Sequence, residues 1–199
     1  MRLNLQLFMR LLACIAASVV ALVATAAEPA AFDLDRLMRE LSRNTAGSAR
    51  FVETRTSSLL DRPLETAGEL RYEAPGRFIK RTRTPTAETL TVDGTRVRIE
   101  RGGKVRTADL DAYPEAMAII DALRGTLLGD QRALERVFAV SGSGTAERWT
   151  LALLPTDPRL AKTISHVRVT GARREVLGID VLYADGDRSS MRIEPITTP

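Results

Sequence analysis

The spacing of apolar positions changes twice along the chain. In "FDLDRLMRELSRN", Leu34, Leu37, Met38 and Leu41 fall at i, i+3, i+4 and i+7. That spacing predicts an amphipathic helix over 33–44 with one narrow apolar stripe, capped by Asp33 and followed by Gly47. Period-2 segments come next. "ARFVETRTSSLL" predicts a strand that ends near the turn at Asp61-Arg62-Pro63. "GELRYEA" sets Leu70 and Tyr72 against Glu69, Arg71 and Glu73. "RFIKRTR" continues with mixed alternation from Phe78. "ETLTV" pairs Leu90 with Val92, and "TRVRIERG" pairs Val97 with Ile99 across the Asp93-Gly94 turn. A short strand surrounds Val105.

At Asp111 the pattern becomes helical. "DAYPEAMAIIDALRG" places Met117, Ile120 and Leu123 on one face, with Pro114 near the start and Gly125 after the end. "GDQRALERVF" predicts a second short helix capped by Asp130, so a helical pair spans 112–137. "SGSG" at 141–144 reads as a turn. Strands then resume, with Trp149, Leu151 and Leu153 on one face, then Val167 and Val169, then Leu177, Ile179, Val181 and Tyr183, then Met191 and Ile193.

About ten short strands, one helix before them and a helical pair midway predict an α+β fold, mainly antiparallel β. A single sheet of that size curls. The expected architecture is an unclosed half β-barrel covered by the N-terminal helix and the inserted helical pair. Its apolar face is either a fully packed core or a concavity that receives an acyl chain, at about 0.8 kcal/mol per buried CH₂. In "LRYEAPGRFIKRTR" five cations share a hairpin with Leu70, Tyr72, Phe78 and Ile79. They are expected mostly on the outer, wet face, where charge also discourages edge pairing.

Charge and leader composition change the picture next. "MRLNLQLFMR" is basic, "LLACIAASVVALVATA" is apolar, and Ala24-Thr25-Ala26 supplies small residues. Residues 1–26 therefore read as a cleaved signal peptide. Too little apolar chain precedes Cys14 for a lipidation box. Residues 27–199 are expected to form a single exported domain, with no cysteine left. Arg2 and Arg10 leave with the leader, so 27 cations face 25 acids, a net +2. That balance argues against nucleic acid as a partner.

Catalytic and metal chemistry find few residues. His166 is the single histidine, and no G-x-S-x-G elbow or glycine-rich phosphate loop accompanies it. No metal set is expected, no cofactor is implied, and the chain is not expected to be an enzyme.

The order of these motifs resembles the LolA-type periplasmic outer-membrane lipoprotein carriers, as a divergent member. "FDLDRLMREL", "ARFVETR", "GELRYEAPGRF", "LTVDGTRVRIE" and "YADGDRSSMRIE" carry the resemblance. It implies an unclosed barrel under a helical lid. The cavity holds the acyl chains of a lipoprotein handed over by an inner-membrane exporter and passed to an outer-membrane acceptor. Two residues depart from the family pattern. Ala74 stands where the classical carrier has a lid-holding arginine, and Ile79 and Lys80 follow Phe78 without the family's tryptophan. Such divergence also fits an accessory to a dedicated lipid or polyene exporter. A lipid- or lipoprotein-sensing module of envelope regulation is the other alternative.

The expected cargo-binding residues on the first helix are Leu34, Leu37, Met38 and Leu41. From the sheet and lid they are Leu70, Tyr72, Phe78, Leu90, Val92, Val97, Ile99, Met117, Ile120, Trp149, Ile179 and Met191. A monomer is expected.

Overall fold

Asp33 accepts a hydrogen bond from the Arg36 backbone N–H at 2.8 Å and starts helix α1, Leu34–Leu41. Its stripe packs as the spacing predicts, with Leu37, Met38 and Leu41 buried. The computed structural model describes residues 32–196, and the expected leader at 1–26 lies outside them. The helix ends at Ser42. Gly47 is therefore not its terminator and belongs to the first strand.

Six strands follow: β1 (Ala46–Thr56), β2 (Leu64–Glu73), β3 (Arg77–Thr84), β4 (Glu88–Asp93), β5 (Arg96–Arg101) and β6 (Lys104–Asp109). A 3-10 turn at Leu110–Ala112 leads into α2 (Pro114–Leu128) and α3 (Gln131–Glu135). The remaining elements are β7 (Phe138–Thr145), β8 (Arg148–Pro155), the short α4 (Pro158–Ala161), β9 (Ile164–Ala172), β10 (Glu175–Tyr183) and β11 (Arg188–Pro195).

The strands form one antiparallel sheet of eleven in the order β6-β5-β4-β3-β2-β1-β11-β10-β9-β8-β7. Every neighbour is sequential except β1 with β11, which pair from Ala49↔Pro195 to Thr56↔Arg188. The first and last strands thus meet at the centre, and β6 and β7 are the free edges of an unclosed sheet. The chain joining those edges is α2 and α3. Their path from edge to edge makes them a cover for the inner face.

Two boundaries differ from the sequence reading. Gly125 does not end α2. The helix runs on to Leu128 and stops at Gly129, whose φ of +60° is a left-handed cap that glycine adopts without a steric penalty. A Cβ on Gly125 would stand 2.7 Å from Leu134 Cγ, so glycine there is a packing choice. "SGSG" is no turn but part of β7, the strand missing from the expected ten. Its small residues serve packing too, since Gly142 leaves the space that the Phe32 ring occupies.

Register sorts the side chains. One inner row reads Gly47–Tyr72–Phe78–Val92–Val97 across β1 to β5. Another reads Met191–Ile179–Val169–Leu151 across β11 to β8. Arg71, Arg77, Arg81 and Arg83 of the basic hairpin are exposed. Lys80 differs: it pairs with Leu70 and Leu90 and shares their inner face.

Two apolar clusters form on the inner face. The larger joins Leu37, Met38 and Leu41 of α1 and Leu134 of α3 to Trp149, Leu151, Leu153, Val167 and Val169. The smaller joins Tyr72, Phe78, Val92, Val97 and Leu110 to the outer half of α2.

Candidate functional site

The two clusters share Leu127 of α2, and the nearby part of β1 carries small side chains. On the inner face of β1, Gly47 lies opposite Tyr72, and Ala49 lies between Leu70 and Pro195. Gly47 is exposed, and Ala49 is buried as a member of the larger cluster. A Cβ on Gly47 would meet nothing within 4 Å. The height of α2 is set elsewhere, by its small face. Ala118, Ala122, Gly125 and Thr126 are buried there. Gly129 holds α1 so close that a Cβ would come within 1.9 Å of the Met38 carbonyl oxygen. The larger side chains of α2 therefore stand over open space.

That space is a cavity of about 880 Å³, within the span of small-molecule sites, about 300–1,000 Å³. Leu70, Tyr72, Phe78, Leu90 and Val92 line it from β2 to β4. Ile119, Ile120, Leu123 and Leu127 line it from α2. Val176, Ile179, Val181, Met191 and Ile193 close it from β10 and β11. The four α2 aliphatics are only half-buried. Each square ångström of apolar surface left there forgoes about 25 cal/mol, which an apolar guest would recover.

Of the sixteen residues expected at the site, the structure brings Leu70, Tyr72, Phe78, Leu90, Val92, Ile120, Ile179 and Met191 to this cavity. Leu37, Met38, Leu41 and Trp149 lie inside the larger cluster, and Leu34 packs against it. Val97 lies in the smaller cluster, and Ile99 and Met117 pack on its border. Trp149 is fully buried, and its Nε1 donates to the Arg173 carbonyl at 3.0 Å. The sequence reading missed Ile119, Leu123 and Leu127, although their i, i+4, i+8 spacing is a helical stripe. Gly47 and Ala49 carried no such signal.

The cavity is not wholly apolar. Glu53 and Lys80 form an ion pair within it, and Ser189 Oγ donates to Glu53 Oε1 at 2.6 Å. Lys80 Nζ also sits 4.9 Å from the Phe51 ring centroid. Burial pulls the Glu53 carboxyl upward, but the Lys80 charge, with hydrogen bonds from Lys80 and Ser189, outweighs it and leaves the group below its ordinary value. The Tyr72 hydroxyl is buried without a hydrogen-bond partner. Burial raises its pKa, and the nearby Arg124 offsets only part of that. At the mouth, Arg173, Arg174 and Glu175 are exposed on the β9–β10 turn.

Among the described residues no group of three or more His, Cys, Asp or Glu is arranged to hold a metal ion, and no helix is long and apolar enough to cross a membrane. His166 lies half-buried on β9 opposite Leu182.

Comparison with known proteins places this geometry. No curated protein sequence matches the chain. Its fold is similar to that of a LolA superfamily protein from Nitrosomonas europaea, with 8% identity and a TM-score of 0.43, covering 85% of this chain and 96% of that one. It is also similar to the Mycobacterium tuberculosis lipoprotein LppX, with 10% identity and a TM-score of 0.42 over 83% and 98%. A third likeness is to the Pseudomonas aeruginosa MucA/MucB complex, with 16% identity and a TM-score of 0.37 over 84% and 59%. The family model described as outer membrane lipoprotein carrier protein LolA-like matches residues 26–193. The chain belongs to that LolA-like family.

Proposed function

We propose that this protein is a periplasmic carrier that shields the acyl chains of a lipoprotein or other lipid between the inner and outer membranes. The observation that carries the reading is the apolar cavity of about 880 Å³ held open beneath α2. A packed core would have closed it. Instead Ile119, Ile120, Leu123 and Leu127 of α2 and the apolar side chains of β2–β4, β10 and β11 line an open space.

Binding by this means is apolar and reversible. Each buried CH₂ contributes about 0.8 kcal/mol, and one myristoyl-length chain partitions into a bilayer with a constant of only about 10⁴ M⁻¹. A cavity of comparable strength takes a chain from a membrane and returns it without covalent chemistry. In this reading residues 1–26 are removed on export and residues 27–199 act as one carrier domain. An inner-membrane exporter loads it, and an outer-membrane acceptor unloads it. Cargo contact falls to the lining residues, with Phe78, Ile120, Ile179 and Met191 central.

Purification of the mature protein from periplasm, followed by native mass spectrometry and organic extraction, tests this. The expected result is a lipid or acylated peptide at about one per chain, lost in Phe78→Glu and Ile120→Glu. A protein that is bare and takes up neither added lipid nor acylated peptide would overturn it.

A further inference from the structure

Six glycines adopt positive φ in the described chain: Gly94, Gly102, Gly103, Gly129, Gly144 and Gly186. One other residue does so, and it is an arginine. Arg173 has φ 51° at the β9–β10 turn, on the rim of the cavity. A side chain in that region costs free energy that glycine avoids. The fold uses glycine at the other left-handed positions and arginine at this one.

The turn is also held from three directions. The Arg173 N–H donates to the Ala146 carbonyl at 2.7 Å. The Arg173 carbonyl accepts from Trp149 Nε1 at 3.0 Å. The Arg174 carbonyl accepts from Asn44 Nδ2 at 2.8 Å. The backbone carrying the two guanidinium groups is thereby fixed before any ligand arrives, which lowers the ordering cost of binding.

Charge distribution separates these two arginines from the other cations of the cavity. Lys80 is paired with Glu53, and Arg71 with Glu73 at 2.9 Å. Arg173 and Arg174 make no ion pair among the described residues. Glu175 adjoins them on the rim, and Glu147 of the β7–β8 turn lies near Arg173, whose charge helps to lower its carboxyl, yet neither carboxylate pairs with either arginine. Ala46, Gly47, Ser48 and Ile196 also line the cavity, none of them charged.

We infer that the ligand of this cavity is an acidic amphiphile, its acyl part inside and its anionic headgroup on Arg173 and Arg174. The inference rests on the carrier reading and adds the class of headgroup. Guanidinium forks suit phosphate and carboxylate oxygens through paired hydrogen bonds.

The test compares lysophosphatidylglycerol with monoacylglycerol of equal chain length, which lacks the phosphate, using the mature protein and its R173G/R174A variant. Glycine accepts the φ of residue 173, so the variant keeps the turn, and its Tm is expected to be no lower. The parent protein should bind the anionic lipid about tenfold more tightly, at roughly the scale of one cation per headgroup. The variant should lose that preference and bind the anionic lipid no more tightly than the neutral one. Glycerol 3-phosphate alone should not displace either lipid; displacement would mean a free-phosphate site and overturn the inference. Equal binding of both lipids by the parent, or a preference that survives in the variant, would overturn it while leaving the carrier intact. Failure of both lipids to bind would remove the carrier reading itself.

Discussion

Arg124 on α2 donates through Nη2 to the Gly94 carbonyl oxygen at 3.0 Å, tying the cover to the β4–β5 turn. Asp121, one turn earlier on α2, holds the same guanidinium at 3.4 Å. The side chain passes over the β2–β3 turn, where a Cβ on Gly76 would stand 2.7 Å from Arg124 Nε. Arg124→Ala removes the tie and leaves the apolar contacts of α2 in place. The loss should be about 1 kcal/mol, the scale of one hydrogen bond with a partly exposed ion pair. For a domain of this size that lowers Tm by roughly 3 °C. Amide exchange over residues 114–128 should quicken more than exchange in β8 and β9. Uniform quickening would show that Arg124 stabilises the fold without fastening the cover.

Gly47→Phe should obstruct the cavity from an exposed lining position. The position is on strand β1 with open space around a Cβ, so the root of the new side chain meets no neighbour. Replacing a strand glycine by an aromatic also raises β-propensity. Tm should hold or rise, while uptake of a fluorescent fatty acid should fall by at least tenfold. Gly171→Ala is the contrast. Its Cβ would lie 2.1 Å from Trp149 Cζ2 and 2.3 Å from the Glu175 carbonyl oxygen. Overpacking of that kind costs about 1–3 kcal/mol. If Gly47→Phe destabilises as much as Gly171→Ala, the space beneath α2 is not open in solution.

The curled sheet was legible because each strand carries its alternation locally. Leu90 with Val92 and Val97 with Ile99 sit on the inner face as their period requires. β7 escaped notice because "SGSG" has turn composition, and its strand conformation comes from pairing with Trp149, Thr150 and Leu151 of β8. The site was half legible for a related reason. Periodicity identifies an inner face, but it does not say whether the facing element touches it. Trp149 and Ile179 occupy equivalent inner positions in the pattern, yet one is sealed under the larger cluster and the other lines the cavity. The difference lies in what covers each residue across the inner face, which their own spacing does not encode. The hairpin's cations are expected mostly on the outer face, and Lys80 is an exception. Its partner, Glu53, is 27 residues earlier, and only the β1–β2–β3 pairing brings them together.

Core and cavity positions should separate by their two readouts. Trp149→Ala removes a fully buried ring and its hydrogen bond to Arg173, and should cost about 3–5 kcal/mol. Ile120→Ala trims a half-buried side chain beside empty space, so the stability cost should be near 1 kcal/mol. Lipid affinity should respond in the opposite order. Correcting for the unfolded fraction, Ile120→Ala should weaken binding several-fold. Equal effects of both substitutions on stability, measured by urea denaturation, would mean that α2 is packed down onto the sheet.

The Glu53–Lys80 pair predicts a pH dependence of definite sign. The Glu53 carboxyl lies below its ordinary value of 4.5 in the folded protein, because Lys80 and Ser189 outweigh the effect of burial. Its contribution is therefore fully present above that value and fades as pH falls through the folded one. Glu53→Gln keeps the shape and removes the charge. At pH 7 the variant should be less stable by about 1–2 kcal/mol, between the scale of an exposed pair and that of a fully buried one. Below the ordinary value of 4.5 the gap should narrow, as the carboxyl takes up a proton and ceases to attract Lys80. Urea denaturation of both proteins from pH 3 to pH 7 measures it. A gap that stays constant across that range would assign the loss to the Ser189 hydrogen bond and packing, with Lys80 contributing nothing.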